Sequence, residues 1–287
     1  MDDGTLQRSY GTAFDRIAKR YDRHRPAYPQ ELIDHAFEVA GLSAGDEVLE
    51  VGCGTGQLTR DLLARGARVT AIEPGENLIA LARENLAGSG DVHFTNARLE
   101  DARLPDEHFA AVFCASSVHW IDPDLGWRRM AEVLVPNGTL ALIQYFGLDD
   151  PDSAEDQRAV LRTISAVAPE IAAEWPTYRD LDATLAGAYE RRTNISEAWG
   201  WLGSFEIARP YAASLFDAIE IATVQTSVEL TADELTSLLA TISFWSRLDP
   251  AQRAAIEREN RELQERLGRA TRSSLLGCVV TARRSAV

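Results

Sequence analysis

The stretch "VLEVGCGTGQLT", Val48 to Thr59, decides the fold. An apolar run stops at Gly52, glycines recur at alternate positions 52, 54 and 56, and the helix-like segment "QLTRDLLARG" follows at once and closes at Gly66. Glycine adopts φ > 0 without steric cost and presents bare backbone to whatever lies against it. In an open α/β sheet, the bend after the first strand is where ligands meet the chain. A nicotinamide fingerprint, G-x-G-x-x-G, would place its third glycine at position 57, but Gln57 stands there and Gly56 comes one residue early. No Gly-Lys-Ser/Thr follows, which excludes a Walker loop. What remains is E-x-G-x-G-x-G, from Glu50 to Gly56.

Outward from that bend the chain alternates. "EVLEV" reads as a first strand, "RVTAIEP" as a second stopped by Pro74 and Gly75, "VHFTNA" as a third, "FAAVFCAS" as a fourth, and "TLALIQYF" as a fifth after the turn "PNG". The intervening segments "NLIALARENLAG" and "LGWRRMAEVL" carry helical spacing. Such repeats read as right-handed βαβ units on a parallel sheet, and continuous Val, Ile, Leu and Ala runs fit strands buried on both faces. After Phe146 the rhythm breaks into helical stretches. Strand character returns with "AIEIATVQTSVEL"; two helices follow, then a last strand, "LLGCVVTARR". The expected class is α/β: a seven-stranded Rossmann-like sheet with helices on both faces. Its expected division is an N-terminal helical lid over 1–40, a core over 41–147, a helical cap or substrate insertion over 148–215 between strands five and six, and completion of the sheet over 216–287.

The 287 residues are 45% hydrophobic and 25% charged, ordinary for a soluble domain. A net charge of -15, from 29 basic and 44 acidic residues, opposes nucleic acid and anionic membranes as partners. Cys53, Cys114 and Cys278 form neither a disulfide framework nor a Cys-x-x-Cys pair, so no metal is expected. The start "MDDGTLQRSYGTAF" lacks the basic and apolar parts of a secretory signal, and no window holds about 18 uninterrupted apolar residues. A cytoplasmic setting is the expectation. Nothing in the sequence fixes the oligomeric state, and a homodimer is compatible with it.

Glu73 closes the second strand, and a carboxylate there can accept hydrogen bonds from both hydroxyls of a ribose. The ligand therefore carries a ribose and lacks a pyrophosphate. "VLEVGCGTG" followed by "AIEP" resembles the first two motifs of class I S-adenosylmethionine-dependent methyltransferases. "FDRIAKRYDRHRPAYPQELID" resembles the lid of a bacterial small-molecule branch of that superfamily. "LEDARLPDEHFAAVFCASSVHWIDPD" resembles the stretch where that branch, trans-aconitate methyltransferases included, carries a His-Trp after strand four. The resemblance is good over roughly residues 14–147 and loose beyond.

The resemblance implies S-adenosylmethionine as cofactor, held by Gly52, Cys53, Gly54, Gly56, Glu73 and Pro74, with Glu50 ordering the loop. It implies an adenine acceptor at Glu100 or Asp101, read as ending the third strand, and a carbonyl of Cys114 or Ala115 for the methionine ammonium. Pro26 and Pro29 stiffen the lid. Arg25 is then expected on the methionine carboxylate, with Tyr21 and Tyr28 closing over sulfonium or substrate, and Tyr10 and Phe14 in the same lid. His119 is the candidate base for a hydroxyl acceptor, or a pocket residue paired with Trp120. Trp175, Tyr178, Trp199 and Trp201 are pocket wall or helical core.

The function expected is methyl transfer to a small organic or secondary-metabolite-like molecule, on oxygen in preference to carbon. Rivals on the same sheet are an S-adenosylmethionine-binding cyclase or a non-methylating sensor, a nicotinamide-dependent oxidoreductase disfavoured by Gln57, and a methyltransferase for nucleic acid or protein.

Overall fold

The computed structural model describes residues 15, 18–24, 27–173 and 178–286. Its elements in chain order are α1 (Ala18–His24), α2 (Gln30–Ala40), β1 (Glu47–Val51), α3 (Gln57–Ala64), β2 (Arg68–Ile72), α4 (Glu76–Asn85), β3 (Val92–Thr95), β4 (Phe109–Ala115), α5 (Pro123–Val133) and β5 (Leu134–Gly147). There follow α6 (Ala154–Val167), α7 (Pro169–Ala173), α8 (Leu181–Glu190), α9 (Ile195–Gly203), α10 (Ala212–Leu215), β6 (Phe216–Leu230), α11 (Ala232–Leu239), α12 (Pro250–Leu267) and β7 (Thr271–Arg284).

The seven strands form one sheet in the order β3-β2-β1-β4-β5-β7-β6. Neighbours from β3 to β5 run parallel; β7 lies antiparallel between β5 and β6. The order reverses at β1, so a crevice opens between the carboxyl ends of β1 and β4. The expected sheet is thus present, with two local differences. "PNG" is not a turn before β5 but a bulge within it: Phe109 pairs with Leu134 and Ala111 with Thr139, so two steps on β4 face five on β5. Asn137 takes a left-handed φ of 61° to absorb the excess. The third strand ends at Thr95, well before Glu100 and Asp101, which occupy a turn.

Both sheet faces are covered. On one, Leu32, Ile33 and Ala36 of α2 and Leu58, Leu62 and Leu63 of α3 pack over Val48, Phe113 and Ile143. On the other, Trp127 and Met130 of α5 and Trp199 and Leu202 of α9 pack over Leu49, Val112, Leu142 and Val280. Burying each Leu- or Ile-sized side chain contributes roughly 1.5–3 kcal/mol. A third cluster unites Ile164 and Ile171 of α6 and α7 with Leu235, Leu239, Phe244, Trp245 and Ile256 around α11 and α12. Because β5 and β6 both deliver the chain to the carboxyl end of the sheet, this cluster stands beside the crevice. The stretch 148–215 therefore divides: α6 and α7 join helices from beyond β6, while α9 and the segment after it return to the sheet face.

Local sequence explains the helices. Asp249 and Gln252 form a capping box with Pro250 in the first turn, and Gly268 ends α12 at φ 65°. Thr231 and Glu234 do the same for α11. Among the described residues no helix is long and apolar enough to cross a membrane, and no cluster of three or more His, Cys, Asp or Glu residues could hold a metal ion.

Candidate active site

The crevice is built from the loop after β1. Gly52, Gly54 and Gly56 sit at φ 75°, 55° and 90°, the left-handed region that alternate glycines make accessible. At Gly52 close approach adds a second requirement: a Cβ there would lie 2.6 Å from the Cβ of Ser117. Ser117 itself donates its hydroxyl to the Val51 carbonyl at 2.5 Å, joining the end of β4 to the end of β1. Gly56 is the N-cap of α3, with no side chain capping the helix start.

Two carboxylates support this loop. Glu50, on β1, is 1% exposed and accepts the Thr59 hydroxyl at 2.6 Å. Burial lifts its pKa to about 7, the Thr59 bond pulling the other way and the nearby Glu73 charge adding to the rise. Glu73 accepts the Gly54 N–H at 3.0 Å on Oε2 and the Gly75 N–H at 2.8 Å on Oε1. Burial raises Glu73 above the ordinary carboxylate range, and those two N–H groups oppose the rise.

The cradle fits an adenosyl group. Each Glu73 oxygen has one backbone donor and keeps further acceptor capacity, enough for two vicinal hydroxyls. Thr55 Oγ1 and Gln57 Nε2 are buried without a hydrogen-bond partner, so the loop has unspent polar capacity. Residues 52 and 56 leave no room for a side chain.

Other expected residues divide. Cys53 is 4% exposed, and burial holds its thiol well above the ordinary range. The Cys114 thiol points into the core, 3.6 Å from Met130 Sδ, and burial pushes it up to about 12. That leaves only its backbone, or that of Ala115, for a ligand. Pro74 is exposed at the bend before α4. Glu100 accepts the Asp122 N–H at 2.7 Å, fixing the segment before α5, and Asp101 is exposed. Asn96, the first residue after β3, donates to the Glu73 carbonyl at 2.8 Å and so stands beside the cradle. Reading the third strand too long hid it; counting from Thr95 would have found it.

Tyr28 donates to the Ser116 hydroxyl at 3.0 Å, and its ring stacks 6.2 Å from that of Tyr145. Tyr145 in turn donates to the Ala27 carbonyl at 2.9 Å. Arg25, Trp175, Tyr10, Phe14 and the Tyr21 side chain lie outside the described residues. The N-terminal segment is latched at two further points. Asp15 accepts the Asn77 and Leu78 N–H groups at 2.7 and 3.1 Å, capping α4. Asn85 donates both to Asp22 at 3.0 Å and to the Thr55 carbonyl at 3.1 Å, tying α1 to the glycine loop. His119, in a short turn after β4, stacks on Phe205 with ring centroids 4.3 Å apart and planes 14° apart, and lies 4.6 Å from the Trp120 ring. Trp199 is fully buried against the sheet, whereas Trp201 is partly buried between the guanidinium groups of Arg179 and Arg191. Tyr178 packs against Gly147.

Comparison with known proteins agrees with this geometry. Residues 48–138 match the family model described as a methyltransferase domain. An uncharacterized methyltransferase of Mycobacterium tuberculosis is 34% identical over 137 residues, 48% of this chain and 54% of that protein. The chain thus spans about half the length of that relative. A demethylmenaquinone methyltransferase of Clavibacter sepedonicus is 27% identical over 192 residues, 65% of this chain and 74% of that protein. A solved structure assigned as a type II methyltransferase, from Anaeromyxobacter dehalogenans, shares the fold with a TM-score of 0.59 at 22% identity, covering 92% of this chain and 99% of its own. Residues 48–138 are thus similar to a methyltransferase domain, on a fold shared with a solved methyltransferase structure.

Proposed function

We propose that the protein transfers the methyl group of S-adenosylmethionine to an oxygen atom of a small organic molecule. The observation that carries this reading is Glu73, held by one backbone N–H on each oxygen between the glycine loop and the start of α4. Its free lone pairs take the two ribose hydroxyls. Asn96, which donates to the Glu73 carbonyl, and Glu100, which keeps acceptor capacity beside its one bond from Asp122, are the candidates for the adenine edge. A carbonyl of Cys114 or Ala115 takes the ammonium, and Arg25 of the lid takes the carboxylate. Bound there, the cofactor supplies a methyl group made electrophilic by its sulfonium.

The chain's residues have three tasks. Glu50, Glu73 and Thr59 fix the loop, so that binding does not have to order it. Tyr28, Tyr21 and the latched N-terminal segment exclude water and hold the acceptor in line with the methyl and sulfur. His119, fixed by its stack on Phe205, would accept the proton of a hydroxyl acceptor. A carboxylate acceptor would need no such base. The demethylmenaquinone relative supports a small organic acceptor, and the net charge of -15 disfavours nucleic acid and anionic membranes as partners.

The test is turnover. Incubated with S-adenosylmethionine and a panel of small hydroxylated and carboxylated molecules, the protein should release S-adenosylhomocysteine in step with a methylated product. Cofactor binding with no release across the panel would replace this reading by that of a cyclase or sensor.

A further inference from the structure

We infer that Ser116 donates a hydrogen bond to the methionine carboxylate of the cofactor, with Tyr28 holding its hydroxyl in place. The inference rests on the cofactor reading and adds a binding pair that neither the glycine loop nor Glu73 supplies. Tyr28 donates its hydroxyl to Ser116 Oγ at 3.0 Å, across 88 residues of chain. A serine hydroxyl that accepts one bond still has its own proton to give. Accepting also polarises it, because hydrogen bonds in a chain strengthen one another. Among the described residues no acceptor takes that proton.

The backbone brings that hydroxyl to the crevice. Ser116 takes φ 52°, in the left-handed region that a residue with a Cβ enters only at a cost. The other described residues that pay it serve bends: Asn137 and Ala218 lie at the irregular steps of β5 and β6, Ser204 ends α9, and Glu107 turns the chain before β4. Ser116 directly follows β4, and its N–H still reaches the Ile143 carbonyl of β5 at 2.9 Å. The side chains nearby are engaged elsewhere, Cys114 in the core and Ser117 on the Val51 carbonyl against Gly52. Ser116 is instead partly exposed, and its hydroxyl meets the N-terminal segment. Tyr28 is itself fixed there by its stack on Tyr145, whose hydroxyl donates to the Ala27 carbonyl.

The chemistry of the ligand agrees. An amino-acid end carries its ammonium and its carboxylate on one carbon, so the partners of the two must stand close together. The carbonyls assigned to the ammonium are those of Cys114 and Ala115, immediately before Ser116 in the chain. A carboxylate has two oxygens and accepts more bonds than one guanidinium makes, so Ser116 acts beside Arg25 and not in its place. A hydroxyl already oriented by a fixed tyrosine needs no ordering when the ligand arrives, and that favours binding.

Calorimetric titration with S-adenosylhomocysteine and with its decarboxylated analogue, which keeps the ammonium, tests this. Ser116→Ala should weaken S-adenosylhomocysteine about tenfold and leave the affinity for the analogue unchanged. Ser116→Gly, whose backbone takes this φ freely, should show the same loss and decides alone if the alanine variant does not fold. Tyr28→Phe keeps the stack on Tyr145 and acts only through the serine hydroxyl. It should weaken S-adenosylhomocysteine about threefold in the parent and not at all in Ser116→Ala. Where the analogue is too weak to titrate, methylthioadenosine, which lacks the whole amino-acid end, replaces it on the same terms. The inference is overturned if Ser116→Ala binds S-adenosylhomocysteine normally, if both ligands weaken alike, or if the effects of the two substitutions add. Failure of the unmodified chain to bind S-adenosylhomocysteine would instead strike the cofactor reading beneath it.

Discussion

Glu73 and Gly54 are joined by a 3.0 Å hydrogen bond in which the loop's backbone donates to an acid on the neighbouring strand. One side chain thereby sets the loop and presents the ribose acceptor. Glu73→Ala should weaken S-adenosylhomocysteine by roughly 10²-fold or more, since two charge-assisted bonds contribute about 1.5–3 kcal/mol each. Titration calorimetry reads this directly; an affinity within threefold of the parent would contradict the role.

Glu50 makes stability depend on pH. Burial raises its pKa from 4.5 to about 7, so between those values the native chain holds a proton that the unfolded chain releases. Stability from this group is complete below about pH 4.5 and falls as pH rises to about 7, by roughly 3 kcal/mol in all. Glu50→Gln cannot ionise, and its stability relative to the parent should improve between about pH 5 and about pH 8. Urea midpoints at the two pH values check this; a constant difference would mean that Glu50 titrates normally.

Gly52 and Ser117 permit a controlled test of close approach. Gly52→Ala should cost roughly 2–4 kcal/mol, from its φ of 75° together with a Cβ only 2.6 Å from that of Ser117. Gly88 has a similar φ of 78° but open space around it, so Gly88→Ala should cost only about 1 kcal/mol. Equal losses on denaturant unfolding would show that the contact with Ser117 carries no energetic weight.

Asn85 bridges the N-terminal helix and the glycine loop through Asp22 and Thr55. Asn85→Ala removes both bonds and should speed S-adenosylhomocysteine dissociation about tenfold and hasten tryptic cleavage after Lys19 and Arg23. Stopped-flow release and timed digestion report these separately. Unchanged dissociation would confine the bridge to structure.

His119→Ala should lower kcat for a hydroxyl acceptor by roughly 10²-fold and remove the acidic limb of the pH–rate profile. His119→Phe keeps the stack on Phe205 and should be equally slow. Normal rates in His119→Phe with loss in His119→Ala would make the ring a packing element alone.

The glycine loop, Glu73 and the strand–helix alternation were legible in the sequence because each is local: a bend, an acid at a strand end, a hydrophobic period. What eluded it depended on distance. The bond from the Asp122 N–H to Glu100 spans 22 residues and has no signature in the sequence. Asn96 was hidden by a strand drawn two residues too long, and the bulge at Asn137 by a turn-like "PNG". Asp15 and Asn85 carry no motif at all. Their meaning lies in partners that only folding brings near.

The central claim is that the loop after β1, with Glu73, is built for adenosine joined to methionine. Calorimetric titration of the unmodified chain with S-adenosylhomocysteine, beside NAD, tests it most directly. Saturable one-to-one binding of the first and none of the second is the result expected. A folded chain that ignores S-adenosylhomocysteine, or prefers NAD, would contradict it.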